Sequence, residues 1–204
     1  MGKVLQFSQK PPPKFGFERV KKRKKGETRP GQLNLFTTSG AQVLKLPSNI
    51  SPFEEALLLD ERDDRRAEET YERAIEEGDS VADSYCNLGI IKSKAGDTAK
   101  AFDCFTKSLE HDPRHLESHY NLGNLYFDAG NLRLAQLHYE LAGEVEPSFP
   151  NLYFNLGLVH ALNEDYNSAV IALDRYKELA PAREGVKAED LLTNIKRSFP
   201  GQTR

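Results

Sequence analysis

The chain of 204 residues has no tryptophan, one methionine and two cysteines. Two cysteines are too few to form a disulfide framework in a chain of this length, so we expect a reducing, cytoplasmic environment. Cys86 and Cys104 fall within predicted helices, where we interpret both as small apolar residues. The sequence also lacks an apolar run long enough to cross a bilayer and the apolar core of a secretory signal. We therefore expect no membrane association.

Residue constellations that carry catalysis are also missing from the sequence. We find no nucleophile–base pair, no glycine-rich phosphate loop and no paired carboxylates of a cleft. His111, His115 and His119 lie four residues apart, which suits metal binding on one helix, but Pro113 interrupts that helix. A surface loop between two repeats is the preferred interpretation of this histidine series. We predict a non-enzymatic protein without a cofactor, a metal or a small-molecule substrate.

Charge is distributed unevenly along the chain, although the net charge is only −3. Residues 1–47 contain eleven lysines and arginines but only two acidic residues, whereas the remainder has 17 basic and 29 acidic residues. The basic part also contains three consecutive prolines and no amphipathic period. We predict that residues 1–47 form a disordered basic arm on an acidic body.

A repeat of 34 residues organises the body of the chain. The first copy has Leu88-Gly89 followed by Ala101 and a closing Pro113, and the same residue types recur at the same offsets twice more. The later copies contain Leu122-Gly123, Ala135 and Pro147, then Leu156-Gly157, Ala169 and Pro181. A fixed period with fixed residue types indicates a repeat array. In spacing and residues the chain resembles the tetratricopeptide repeat family, most closely a small adaptor of the bacterial type.

This resemblance implies an all-α fold, an α-solenoid of helix–turn–helix units. The predicted boundaries are a degenerate repeat at 51–81, full repeats at 82–115, 116–149 and 150–183, and a capping helix at 184–198. In the degenerate repeat the second helix is in register with the later units, but the first helix is not, and Asp79 replaces the closing proline. Atypical, more polar terminal repeats commonly cap such arrays. Glu164-Asp165 replaces the Gly-Asp and Gly-Asn turns of the other repeats, so a residue other than glycine must supply any left-handed conformation there.

On the first helix of each repeat, the residues that are not assigned to the core predict the lining of a concave groove. Asn87, Asn121 and Asn155 each precede a Leu-Gly pair, and an asparagine amide can both donate to and accept from the main chain of an extended ligand. From helix packing distances and strand rise, one asparagine would meet about every third ligand residue. These asparagines resemble those by which members of the family hold peptide backbones. An alternative is that the asparagines bond only to neighbouring helices.

Aromatic and apolar side chains surround the asparagines on this face. Family members that clamp a terminal carboxylate use basic residues here, whereas this chain has Cys86, Tyr120 and Phe154, so we expect a partner peptide with apolar or aromatic anchors, extended or helical. An alternative is that some of the aromatic residues only pack between helices. The predicted groove consists of Cys86, Asn87, Ile90, Tyr120, Asn121, Asn124, Phe127, Phe154, Asn155 and Leu158.

The basic arm supports a second hypothesis. Gln32-Leu33-Asn34-Leu35-Phe36 resembles the pentapeptide by which bacterial polymerases and repair proteins dock on the sliding clamp, with Asn34 replacing Ser or Asp. An alternative is that this hydrophobic segment folds back onto the repeats, where it would occupy the concave groove as a built-in ligand. The basic run Lys21, Lys22, Arg23, Lys24 and Lys25 could neutralise nucleic-acid phosphates, serve as a nuclear import signal in a eukaryote, or rest on the acidic first repeat. The leading prediction is a protein-interaction adaptor that binds a partner peptide in its groove. The alternative is a DNA- or clamp-associated factor.

Overall fold

The computed structural model describes residues 13–21 and 50–199. Over residues 52–198 the chain forms successive helices: α1 (Pro52–Asp60), α2 (Arg66–Glu76), α3 (Val81–Lys94), α4 (Thr98–His111), α5 (Leu116–Asp128), α6 (Leu132–Val145), α7 (Pro150–Leu162), α8 (Tyr166–Leu179) and α9 (Ala182–Ser198). The helices pack as antiparallel pairs, α1/α2, α3/α4, α5/α6 and α7/α8, and each pair stacks on the next. The predicted all-α solenoid is confirmed.

The turn within each full repeat combines a left-handed residue with a capping side chain. Gly96, Gly130 and Glu164 have φ angles of 83°, 75° and 62°, and each precedes the N-cap of the second helix. These caps, Asp97, Asn131 and Asp165, accept a hydrogen bond from the backbone N–H three residues later. Such caps stabilise the start of a helix by about 1 kcal/mol. The predicted non-glycine residue in the left-handed conformation is Glu164.

The repeated glycine of each first helix lies against a large side chain of the second helix. A Cβ added at Gly89, Gly123 or Gly157 would lie 2.8, 2.5 or 2.7 Å from the side chain of Phe105, Tyr139 or Leu173. These distances are shorter than a carbon–carbon contact allows. The two helices therefore approach closely only because the glycine leaves room for the facing side chain.

The first repeat is shorter than the others but keeps their register at one end. Helix α1 has nine residues, and its last residue, Asp60, precedes the last residues of α3, α5 and α7 by 34, 68 and 102 positions. The expectation that this helix is out of register therefore holds only for its N-terminal part. Asp79, in the place of the closing proline, accepts a hydrogen bond from the Phe53 N–H at 2.8 Å and so caps α1.

Helix α9 covers the end of the array. Its buried Leu191, Leu192 and Ile195 belong to the same apolar cluster as Leu173 and Tyr176 of α8. Phe199 follows the helix and stacks on Tyr166, with 3.9 Å between ring centroids. Val186, which the sequence pattern places on the same apolar face, is 56% exposed instead. The helix otherwise shields the apolar side of the last repeat from water.

The N-terminal part of the chain differs from the expected disordered arm at residues 13–21. These residues, hereafter the arm segment, lie extended along the first helices of the repeats, and Val20 is fully buried. Sequence pattern gave no sign of this because an extended segment needs no amphipathic period of its own. The groove supplies both its hydrogen-bond partners and its apolar contacts.

Candidate peptide-binding groove

Three asparagines hold the main chain of the arm segment; we call Asn87, Asn121 and Asn155 the asparagine ladder. Asn155 accepts from the Phe15 N–H at 2.7 Å and donates to the Phe15 carbonyl at 3.1 Å. Asn121 makes the same pair of bonds with Glu18, both at 2.8 Å. Asn87 makes them with Val20, at 2.9 and 3.1 Å. Each side-chain amide thus satisfies both polar groups of one residue, as a neighbouring strand does in a sheet.

The direction and spacing of the arm segment follow from these bonds. The segment runs antiparallel to the order of the repeats, with Phe15 held by the last repeat and Val20 by the first full repeat. Successive asparagines of the ladder, which we call its rungs, hold residues that are three and then two positions apart. This is close to the predicted spacing of one asparagine per three residues. Asn124 adds a further bond by donating to the Gly16 carbonyl at 3.0 Å. The main chain is therefore held at four of its residues.

The ladder asparagines also bond inside the protein. Asn87 donates to the Tyr71 hydroxyl at 3.1 Å, and Asn155 donates to the Tyr120 hydroxyl at 3.0 Å. Asn121 has weaker internal contacts, with its amide nitrogen 3.5 Å from the Cys86 sulfur. The ladder asparagines therefore bond both to the arm segment and to other side chains of the solenoid, and their binding of a partner stays a prediction. Replacing Asn87 or Asn155 by alanine therefore removes a donor from one of these hydroxyls as well as both partners of one arm-segment residue.

Aromatic rings form the end of the groove at the last repeat, hereafter the aromatic end. Phe15 contacts Phe154 edge-on, with ring centroids 5.1 Å apart, and Tyr176 at 5.7 Å. The Tyr120 hydroxyl donates to the Phe15 carbonyl at 3.4 Å. Edge-to-face arrangements of this kind add about 0.5–1.5 kcal/mol to the burial of apolar area. This end holds the arm segment largely through apolar contact.

The middle of the arm segment combines stacking with an exposed ion pair. Phe17 stacks on Phe105 at 6.1 Å between centroids, and the Lys14 ammonium lies 5.5 Å from the Phe17 ring. Lys14 also pairs with Asp128 at 3.3 Å, but the Asp128 side chain is 57% exposed. Exposed ion pairs contribute little, typically less than 1 kcal/mol. The stack is therefore the stronger contact here.

A carboxylate and an apolar residue distinguish the end of the groove at the first repeat, hereafter the charged end. The Arg19 guanidinium lies 2.9 Å from the Asp60 carboxylate, which is only 5% exposed. Tyr71 donates to the same carboxylate at 3.3 Å and accepts from Asn87, so the ion pair and the ladder share one hydrogen-bond network. Burial raises the pKa of Asp60 above its ordinary range, and the positive charge of Arg19 opposes that rise.

The structure brings all ten predicted groove residues to the arm segment or to the apolar clusters that it joins. Cys86 and Ile90 belong to the cluster that contains Val20, and Leu158 and Phe154 belong to the cluster that Phe15 packs against. The Phe127 ring lies 6.0 Å from the Lys14 ammonium. Burial raises the pKa of the Cys86 thiol, which keeps it protonated and inert at neutral pH.

Sequence analysis missed several residues that contact the arm segment. They are Asp60, Phe105, Asp128 and Tyr176. The repeat period carried a signal for two of them, because Asp60 and Asp128 are 68 residues apart, two periods, and each ends a first helix. An acid is unfavourable at the C-terminal end of a helix because the helix dipole is negative there. Two acids at that place indicate a cation brought by another part of the chain.

Other predicted sites lie outside the described residues or are placed differently. The described residues do not include Gln32, Leu33, Leu35 and Phe36 or the basic residues 22–25, so the DNA and sliding-clamp hypothesis stays a prediction. Lys21 is described and is exposed.

His115 does not lie in a surface loop: it is fully buried, 2.9 Å from Asp83, and caps α5. Among residues 13–21 and 50–199 no group of His, Cys, Asp and Glu could hold a metal ion, and no helix has the length and apolar character to span a membrane.

Comparisons with known proteins agree with this geometry. Family models described as tetratricopeptide repeat match residues 82–115 and 120–184. No curated protein sequence matches the chain.

Several solved structures share the fold at low sequence identity. MamA from Desulfovibrio magneticus RS-1, solved from residue 41 to its end, superposes with a TM-score of 0.62 at 18% identity, over 74% of this chain and 85% of that chain. A tetratricopeptide repeat protein from Parabacteroides merdae ATCC 43184 gives 0.62 at 19% identity, over 73% and 59%. The first repeat domain of Spaghetti (RPAP3), solved with the HSP90 peptide SRMEEVD, gives 0.55 at 22% identity, over 59% and 94%. Residues 82–115 and 120–184 are tetratricopeptide repeats, and these repeats place the chain in the tetratricopeptide repeat family.

Proposed function

We propose that the concave groove binds an extended segment of a partner protein and that the protein acts as a non-enzymatic adaptor. One observation carries this proposal: the asparagine ladder satisfies both the N–H and the carbonyl of Phe15, Glu18 and Val20. A groove that satisfies main-chain groups accepts many sequences in extended form. The side-chain contacts at its two ends then supply specificity.

The arm segment occupies the place of the partner in this proposal. A partner segment must therefore displace residues 13–21, which compete from the same chain and at a high effective concentration. Displacement is feasible because the arm segment has no secondary structure of its own and lies outside the helical pairs. Releasing it exposes the groove and leaves the solenoid packing intact.

The peptide chemistry expected here differs from that of the RPAP3 domain. That domain was solved with the peptide SRMEEVD, which carries two glutamates and an aspartate. In this chain, Asp60 and Asp128 face the arm segment, and both pair with its basic residues. Like charges would disfavour an acidic peptide, so the proposed partner segment is apolar and basic.

The test uses the full-length chain with Phe15→Ala, Phe17→Ala and Val20→Ala, which weakens the tethered competitor while leaving the groove unchanged. A fluorescent peptide with the sequence of residues 13–21 serves as the probe, and its anisotropy reports binding. We expect binding to this arm-released variant and at least tenfold weaker binding to the unchanged chain. Failure of the probe to bind the well-folded variant at millimolar concentration contradicts the proposal.

Two matched controls separate main-chain recognition from nonspecific apolar contact. N-methylation of the probe at Glu18 removes an N–H that Asn121 accepts, whereas the Arg19 N–H has no acceptor in the described part of the chain. We expect about tenfold weaker binding for the first peptide and a smaller loss for the second. Asn121→Ala should reproduce the loss, and Asn163→Ala, at an exposed asparagine, should not.

A further inference from the structure

We propose that Asp60 makes the groove selective for segments with a basic side chain at one position, directly before the residue that Asn87 holds. This inference rests on the proposed function and adds the chemistry of the partner. The observation behind it is a carboxylate that is almost completely buried in the groove wall and whose contacting cation comes from the groove's occupant.

Two features of its environment make an unpaired Asp60 unfavourable. First, the residue is 5% exposed, and a buried carboxylate needs a partner to offset its loss of hydration. Second, it is the last residue of α1, where the helix dipole is negative, and the last turn of α1 contains no basic residue. The Tyr71 hydroxyl offers one hydrogen bond at 3.3 Å, which does not neutralise the charge.

Arg19 supplies the missing positive charge. In the described part of the chain, its guanidinium is the cationic group that reaches ion-pair distance of Asp60, at 2.9 Å. Lys94 lies near enough to influence the pKa of Asp60 without contacting it. Without the arm segment, Asp60 has no cation at ion-pair distance among the described residues. A basic side chain of an incoming segment restores the neutral pair.

The hydrogen-bond network fixes where in the partner this basic residue must lie. Asn87 holds the Val20 main chain and donates to Tyr71, which in turn donates to Asp60. The carboxylate is thus held in a constant position relative to the residue on the last rung. A segment shifted by one residue, or bound in the opposite direction, would place its basic side chain away from Asp60.

The occupant that fits these contacts is an extended segment of a partner protein with a defined order of side chains. From the N-terminus it carries an aromatic residue at the last repeat, a second aromatic residue two positions later, a basic residue two positions after that, and then an aliphatic residue. The arm segment has this order in Phe15, Phe17, Arg19 and Val20. The partner segment is expected to mimic it.

The test measures probe affinity on the full-length arm-released variant. Two fluorescent peptides of residues 13–21 are compared, one with arginine at position 19 and one with citrulline, which has the same shape without the charge. We expect the citrulline peptide to bind about 30-fold more weakly, because one partner of a buried ion pair is lost. On the same variant with Asp60→Asn, the two peptides should differ less than threefold, since a double-mutant cycle isolates the pair.

The outcomes separate this inference from the proposed function. If neither peptide binds, the proposed function fails. If both bind equally, or if the citrulline loss persists with Asp60→Asn, peptide binding stands and the role of Asp60 is overturned. A concentration-dependent dimer of the unchanged chain that disappears with Arg19→Ala would assign the groove to a second copy and overturn the partner assignment.

An internal comparison requires no variant at Asp60 and covers the case in which Asp60→Asn does not fold. Replacing Lys14 of the probe by norleucine removes a cation that pairs with the exposed Asp128. We expect less than a threefold loss from this change, against about 30-fold from citrulline at position 19. Equal losses at the two positions would contradict a special role for the buried carboxylate.

Discussion

The two ends of the groove hold the same segment by different physical means. At the aromatic end, Phe15 meets the rings of Phe154 and Tyr176 and remains partly exposed. At the charged end, Val20 is fully buried and Arg19 pairs with an enclosed carboxylate. Apolar contact tolerates a range of aromatic side chains, whereas a buried charge accepts only an opposite charge. Affinity and selectivity are therefore supplied by different repeats.

The comparison also changes the meaning of the degenerate repeat. Its departures from the family pattern suggest a polar cap whose role is only to shield the stack. Yet Asp60 of this repeat pairs with Arg19 of the arm segment, and Tyr71 of the same repeat joins Asp60 to Asn87 by hydrogen bonds. The full repeats provide the asparagine ladder and the aromatic walls. In the proposed function, the irregular repeat provides the chemistry that distinguishes one ligand from another.

The largest expected effect comes from Val20→Asp, which would break the charged end. A carboxylate introduced at this fully buried site would be unpaired, at a cost of about 3 kcal/mol or more. We expect hydrogen exchange of the residue 20 amide to accelerate by at least 100-fold, measured by NMR. Lys21→Gln, which makes the net charge more negative by the same one unit but at an exposed neighbour, should leave this rate nearly unchanged.

A smaller effect is expected from Phe15→Ala at the aromatic end. Loss of a partly exposed ring with edge-on contacts should weaken this end by about 2 kcal/mol. The residue 15 amide should then exchange about 30-fold faster, while the Val20 amide changes less because its own contacts remain. Equal acceleration at both amides would show that the two ends open together and would remove the distinction drawn between them.

Acidification should sharpen the comparison, because only the charged end contains Asp60. In the occupied groove burial raises the pKa of Asp60, and the positive charge of Arg19 only partly opposes that rise. Release of the arm segment exposes the carboxylate to water and returns its pKa toward the ordinary value of about 3.9, so closure is favoured as pH falls and weakens as pH rises through the raised pKa.

Amide exchange corrected for its intrinsic pH dependence provides the measurement. Between pH 7 and pH 5 the Val20 amide should gain protection relative to the Phe15 amide. The difference should vanish with Asp60→Asn. Glu18, whose pKa burial also raises, acts in the same sense, because its protonation favours the buried form. A persistent pH effect in the Asp60→Asn chain would therefore point to Glu18 or to the fold as a whole.

The smallest effect is expected at Gly16, between the two ends. A Cβ at this residue would meet no atom within 4 Å, and the backbone has no positive φ that requires glycine. Gly16→Ala should therefore change the opening free energy of the arm segment, measured by amide exchange, by less than about 0.5 kcal/mol. Alanine should stabilise the bound segment slightly, because it makes the released chain less flexible. Gly89→Ala is the contrasting change, since its Cβ would lie 2.8 Å from Phe105. Only the second substitution should lower the melting temperature substantially.

The sequence was sufficient to predict the helical scaffold because the same residue types recur at the same positions of every full repeat. The Leu-Gly pairs, the small alanines and the turn signals at a 34-residue period predict the helical pairs, and the asparagines before each Leu-Gly fall where the arm segment lies. The period even required a left-handed residue without glycine, which is Glu164. Repetition makes local patterns reliable, since one error does not shift the rest.

The occupant of the groove could not be predicted in the same way. The contacts of Phe15, Arg19 and Val20 join residues that are 140, 41 and 67 positions apart, and no local pattern encodes such pairings. The basic composition of residues 1–47 instead favoured a solvated arm. Asp60 was obscured for a related reason: many acids surround it in sequence, and only tertiary packing distinguishes the buried one.

The unequal steps of the ladder have a consequence for the length of any ligand. Three rungs are set by the packing of rigid helices, and they hold residues spaced by three and then two along the segment. The five residue steps from the first to the last of these residues must therefore cover a distance that the solenoid fixes in advance. One inserted residue between the first and last rungs would make the segment bulge by about 3.3 Å of chain. A segment must therefore match the fixed separation of Asn155 and Asn87 before its side chains can be recognised.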